Sequence, residues 1–200
     1  MENWTHLYEL AQGQVALLTI APECPGALDV IADASSKGVV VSVGHSNATS
    51  ADITRAVEAG ATMATHLGNG CPSKMDRHAN PIWAILDSPL IAMLIADGHH
   101  LPDPVLRSFW KILGRDRCVL SSDCAPPAGL QPGRYRYFGG TEALLEPSGR
   151  LRNLHADTLA GSAATLETCV NHMQKITKAG TAELNGMARD LPLQILGRTT

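Results

Sequence analysis

Residues Val39–Thr49 read VVVSVGHSNAT. A short run of β-branched and apolar residues without alternation is the pattern of a strand buried on both faces, as in parallel sheets. This one closes on His45 and gives way at once to a helix start. Thr49 or Ser50 serves as N-cap, Asp52 falls in the first turn, Ile53, Ala56 and Val57 share a face, and Gly60 stops the helix. The event then repeats: ATMATH, Ala61–His66, predicts a second strand ending in a histidine 21 residues after the first.

Working outward, Val15–Ile20 predicts a strand that ends in Ala21-Pro22-Glu23, and residues 27–36 have helical spacing before Gly38. Downstream, the loop Gly68–Asn80 leads to a short helix at Pro81–Leu86. A strand over Leu90–Ala96 follows and ends at Asp97-Gly98-His99-His100. A helix around Pro104–Leu113 precedes the strand Cys118–Ser122, which ends at Asp123. A strand–loop–helix unit every 20 to 30 residues, with polar groups at each strand's C-terminal end, predicts the α/β class and a (β/α)8 TIM-type barrel. The doubly wound sheet is the rival, but no glycine fingerprint follows the first strand. Residues 130–153 alternate and turn at Gly139-Gly140 and Ser148-Gly149, predicting a small β excursion. A long helix is expected from a Ser162 cap, with Leu166, Val170 and Met173 on one face, and a last helix over roughly Ala182–Leu196. Residues 1–200 read as one partial barrel domain, since five strands are recognisable where closure needs eight, and a barrel of this type runs to about 250 residues.

The composition is that of a globular chain, 44% hydrophobic and 18% charged. A net charge of -3 with no Lys/Arg run beyond two residues argues against nucleic acid or an anionic membrane as partner. No apolar stretch approaches the ~20 residues of a membrane span. Five scattered cysteines without a CxxC pair, and a start without a secretion signal, predict reduced thiols in a cytoplasmic protein.

A metal site on such a barrel draws ligands from different strands that converge at one rim. His45 and His66 meet that requirement, and neutral imidazole suits zinc. Asp123 can ligate or act as a base, and His100 ends the strand between. A lone strand-end histidine is more often a satisfied polar residue; four such groups on separate strands point to a site. Glu23 could bind metal or cap the following helix, and a structural role is expected. Arg77, near Asn69 and Gly70, could clamp a phosphate or be a solvated loop residue. Cys71 and Cys124 read as small core residues rather than soft ligands.

The ordered series TIAPE, VVVSVGHSNAT, GATMATHLGNG, IADGHH, SSDCAPPAG and LAGSAATLETCV resembles the N-acetylglucosamine-6-phosphate deacetylase family of the amidohydrolase superfamily, from about Val15 to Gly197. The resemblance implies metal-dependent hydrolysis of N-acetylglucosamine 6-phosphate to glucosamine 6-phosphate and acetate, with zinc, iron or another divalent ion, in a homodimer. It makes His45 and His66 metal ligands and Asp123 the catalytic aspartate that relays a proton from water to the leaving amine. It places His100 at the substrate amide, and Asn69, Gly70 and Arg77 at the sugar phosphate. The family's metal-binding glutamate lies in a His-x-Glu-Gly-Pro motif before the TIAPE strand, a motif these 200 residues do not contain; the family's small β domain is also missing. Two other readings stand beside this one: a non-catalytic piece, and an amidohydrolase acting on a different amide.

Overall fold

The computed structural model describes residues 1–198. Helix α1 (Glu2–Leu10) precedes strand β1 (Leu17–Ile20), and four further units follow. These are α2 (Ala27–Ser36) with β2 (Val40–Val43), α3 (Ser50–Glu58) with β3 (Met63–Ala64), α4 (Pro81–Asp87) with β4 (Ile91–Ile95), and α5 (Asp103–Leu113) with β5 (Cys118–Ser121). The five strands are all parallel and lie in sequence order, β1-β2-β3-β4-β5. A doubly wound sheet would reverse its order at a switch point. This sheet never reverses, which is how a barrel is built.

Strand register divides the side chains between two faces. Val41, Val43, Ala64, Ala92, Leu94, Cys118 and Leu120 face outward and pack with Ile31 and Ala34 of α2, Ile53 and Ala56 of α3, and Leu106 and Phe109 of α5. The opposite, inner face carries Leu17, Met63, Met93 and Val119, which line a groove of about 310 Å³ together with Ala188, Pro192 and Ile195 from the C-terminal segment.

Helix α3 shows how local sequence fixes the frame. The Thr49 hydroxyl accepts from the Asp52 backbone N–H (3.2 Å), while the Asp52 carboxylate accepts from the Thr49 N–H (2.9 Å). The Thr49 hydroxyl and backbone N–H, then Arg55, hold the Asp52 carboxyl below its usual range. Thr49→Ala removes this reciprocal cap and should cost about 1 kcal/mol, a fall in Tm of about 2–4 °C for a chain of this size. An unchanged melting curve would mean that burial of Ile53 and Ala56 alone holds the helix.

The β excursion is a three-stranded antiparallel sheet, β6 (Gly133–Tyr137), β7 (Thr141–Leu145) and β8 (Leu151–Asn153). One helical expectation needs correction. The long helix α6 (Leu166–Thr177) is capped by Thr165, not Ser162. Ser162 is occupied in pairing: its N–H donates to the Asp123 carbonyl (2.9 Å) and its carbonyl accepts from Ala125 (2.8 Å). The last helix runs unbroken over Thr181–Ile195, close to the expected 182–196, as α7 (Thr181–Asn185), a π-helical segment over Gly186–Asp190, and α8 (Leu191–Ile195). Pro192 lacks the N–H that a regular helix interior needs.

Candidate active site

His45 and His66 do not end their strands as expected; each lies two residues beyond, as does Asp123 beyond β5. All three share a backbone conformation uncommon for a residue with a side chain, with φ of 52°, 32° and 49°. The left-handed residue turns the chain abruptly off the strand end. Such strain clusters where surrounding structure over-determines it, and often at functional positions. Here the constraint is visible: Gly44 N–H donates to the Ile20 carbonyl (3.1 Å), Thr65 N–H to Val43 (2.8 Å), and Leu67 N–H to Met93 (2.8 Å). The strands' hydrogen bonding thus runs up to both histidine turns and past that of His66.

The two imidazoles meet edge to face, with ring centroids 4.6 Å apart and planes at 82°. Their Nε2 atoms are 2.9 Å apart. Two nitrogens on one tetrahedral zinc, at Zn–N of 2.0–2.1 Å, would be separated by about 3.3 Å. A few tenths of an ångström therefore separate this pair from a ligand geometry. His66 is buried, and its Nδ1 has no hydrogen-bond partner among the described residues. Burial first, and the neighbouring His45 second, push its pKa below the usual histidine value, favouring the neutral form a metal requires. Gly70 lies flush against both rings: a Cβ there would stand 2.7 Å from His66 Cε1 and 3.0 Å from His45 Nδ1. The turn that brings it there closes through the Asn69 N–H to the His66 carbonyl (2.8 Å).

Asp123 stands close enough for its charge to favour protonated His66. It also adds to burial in pushing the Tyr137 hydroxyl up. The Tyr137 hydroxyl donates to the carbonyl of Ala160 (2.5 Å), which itself pairs with Leu151 of the small sheet. His100 is held by Asp97: its Nδ1 lies 2.7 Å from Asp97 Oδ2, while Asp97 Oδ1 accepts from the backbone N–H groups of His99 and His100, both at 2.9 Å. No group of three His, Cys, Asp or Glu side chains that could hold one metal ion forms among the described residues. The donors present fit two positions of a divalent ion, not three.

No family model matches the chain. Individual proteins do. It is 31% identical over 90% of its length to the N-acetylglucosamine-6-phosphate deacetylase of Lysinibacillus sphaericus, and 32% identical over 96% to the N-acetylgalactosamine-6-phosphate deacetylase of Escherichia coli O157:H7. It superposes on the N-acetyl-D-glucosamine-6-phosphate deacetylase of Mycobacterium smegmatis with a TM-score of 0.90 and 30% identity over 98% of the chain. With the corresponding enzyme of Pasteurella multocida the TM-score is 0.87 at 28% identity, again over 98%. By sequence and by fold this chain is similar, over nearly all of its own length, to the N-acetylglucosamine-6-phosphate and N-acetylgalactosamine-6-phosphate deacetylases. It spans about half their length: 46% and 50% of the two curated relatives, 53% and 51% of the two solved chains. Its architecture is that of the amidohydrolase TIM barrel with five βα units present.

The deacetylase-like residues are not all gathered at the histidine pair. Asn69 is close by, its side-chain Nδ2 buried without a hydrogen-bond partner among the described residues. Arg77 lies on the exposed rim of its loop. Its carbonyl accepts from Trp83 Nε1 (3.2 Å), which anchors the backbone, and its guanidinium makes no hydrogen bond or ion pair among the described residues. Glu23 is structural, though not as a helix cap. Its carboxylate accepts from Ser46 Oγ (2.7 Å) and from the Asn47 N–H (2.6 Å), tying the loop after β1 to the turn that carries His45. Burial pushes the Cys71 thiol up, away from the thiolate a metal would take. Asp97 and Tyr137 escaped the sequence reading. Asp97 had a signal, a carboxylate three residues before His100; Tyr137 had none, because only folding of the excursion brings it to Asp123.

Proposed function

We propose that this chain carries the catalytic face of an amino-sugar phosphate deacetylase that hydrolyses N-acetylglucosamine 6-phosphate to glucosamine 6-phosphate and acetate. The observation that carries the reading is the pair of Nε2 atoms 2.9 Å apart, on left-handed turns of adjacent strands, with Asp123 on a third such turn. The solved M. smegmatis relative in complex with N-acetyl-D-glucosamine-6-phosphate supports the substrate class. The E. coli relative named for the galactosamine epimer leaves the sugar's 4-hydroxyl to be tested.

In this reading His45 and His66 hold a divalent ion, zinc by donor type with iron as the alternative. The ion supplies the Lewis acidity that lets water attack an unreactive acetamide at neutral pH. Asp123 accepts the proton from the attacking water and returns it to the departing amine, so one carboxylate serves as base and then acid. Asp97 fixes His100 so that its ring faces the amide. Asn69, the Gly70 backbone and Arg77 receive the phosphate. In this reading residues 1–200 form one partial barrel domain. A cytoplasmic setting is supported by five free cysteines. No helix among the described residues is long and apolar enough to cross a membrane. The expectation of a homodimer rests on the family resemblance.

One observation favours a second reading, a binding piece that does not turn over by itself: no third ligand joins the two histidines among the described residues. Acetate release from N-acetylglucosamine 6-phosphate, its galactosamine epimer and unphosphorylated N-acetylglucosamine separates the two. Zinc-dependent release from a phosphorylated sugar, lost in Asp123→Asn by about 10³-fold or more, supports the enzyme. A folded, zinc-binding chain that releases nothing supports the binding piece.

A further inference from the structure

The inner face of a barrel is ordinarily packed with branched apolar side chains. Just beneath the two histidines this one carries three hydroxyls. Thr65 Oγ1 lies 2.9 Å from Thr19 Oγ1 and 2.6 Å from Ser42 Oγ. Thr19 and Ser42 are register partners on β1 and β2. Thr65 follows β3 at the level of Gly44, because Val43 pairs with Ala64. To reach Thr19, the Thr65 side chain of the third strand must cross over the second. It does so at Gly44, where a Cβ would stand 2.8 Å from Thr65 Cβ, 3.0 Å from Thr19 Cγ2 and 3.2 Å from Thr65 Oγ1. No real side chain tolerates the first of these distances against a branched carbon, so the crossing requires glycine.

The residues immediately after Gly44 and Thr65 are His45 and His66. We propose that Thr65 is the positioning residue of the histidine pair: its hydroxyl staples β3 to β1 and β2 across Gly44 and so sets the separation of the two left-handed turns that present the imidazoles. Ser42 is fully buried, and Thr65 is its only hydrogen-bond partner among the described residues. A hydrophobic residue at 65 would therefore loosen the staple and leave a buried hydroxyl unpaired at once. In this proposal the effect of position 65 runs through the rings. The functional consequence rests on the metal reading above, but the geometric claim does not.

The test compares Thr65→Val, which keeps the branched shape and loses the hydroxyl, with Thr65→Ser, which keeps the hydroxyl. In the metal-free chain, ring-to-ring nuclear Overhauser contacts between His45 and His66 should vanish in the valine variant and persist in the serine variant. In zinc titrations the valine variant should bind about tenfold more weakly and the serine variant within about twofold of the parent. Persistence of the ring contacts in Thr65→Val would overturn the proposal. So would a Thr65→Ser variant that loses them as fully, since packing rather than the hydroxyl would then be responsible. A parent chain that shows the ring contacts yet binds no zinc would defeat the metal reading and leave the Thr65 test standing.

Discussion

Replacing both His45 and His66 by alanine is expected to abolish zinc binding while the chain still folds. Outer partners of metal ligands are worth tenfold to a hundredfold in affinity; removing two direct ligands should exceed about a hundredfold and take calorimetric titration below detection. Retained folding is argued from where the rings sit. They lie beyond the strand ends, outside the core formed by the outer sheet face and helices α2, α3 and α5. Removing both also avoids leaving one imidazole stranded. His45→Ala alone would strip His66 of its only ring contact, because Nδ1 already has none, and an unpaired buried group costs about 1–3 kcal/mol. Circular dichroism of the double variant should match the parent. Zinc binding of parental affinity in that variant would place the metal elsewhere and remove the main support for the hydrolase reading.

The barrel arc was legible because parallel strands buried on both faces write themselves as unbroken apolar runs, and glycines at 38, 60 and 114 stop the helices between them. Helix α2 occupies the expected residues 27–36. Helix α1 was not legible: its nine residues are weakly patterned, and it is held by Trp4, whose indole N–H donates to Asp33 (2.6 Å), a contact made only by folding. Helix α6 starts later than its sequence pattern predicts because pairing with the Asp123 segment takes Ser162 out of contention as a cap, and Thr165 caps instead. At the site, residue types and strand-end positions were readable, but the left-handed turns were not. Histidine and aspartate adopt a positive φ more readily than most residues with a side chain, but far less often than glycine, so residue type alone does not announce these turns. The distance from Thr65 to Thr19 depends on a strand being skipped, which no local pattern encodes.

Asp97→Ala is expected to be strongly destabilising. The Asp97 side chain is 2% exposed and that of His100 7%. The carboxylate accepts two backbone N–H groups and faces the His100 ring. Hydrogen bonds to a charged acceptor are worth about 1.5–3 kcal/mol each, and the donors left behind would be partly buried. A loss of about 3–5 kcal/mol follows, or a fall in Tm of roughly 10 °C. Burial pushes the Asp97 carboxyl upward, but the hydrogen bonds from the His100 ring and from the two backbone amides outweigh it and hold the pKa far below the carboxylate range. The sign of the pH dependence follows. The unfolded chain binds a proton at Asp97 near pH 3.9, while the folded chain stays ionised well below that. The stabilisation is therefore complete above the unfolded value and fades as pH falls through the folded one. Urea unfolding of parent and variant should show a constant gap from pH 7 to about 5 and a shrinking one by pH 3. A gap as wide at pH 3 as at pH 7 would mean that Asp97 contributes by packing rather than as an ionised acceptor. Activity should fall with the same substitution even where the variant is folded, because the turn that orients His100 is built on this carboxylate. A folded Asp97→Ala chain with parental turnover would remove His100 from the reaction.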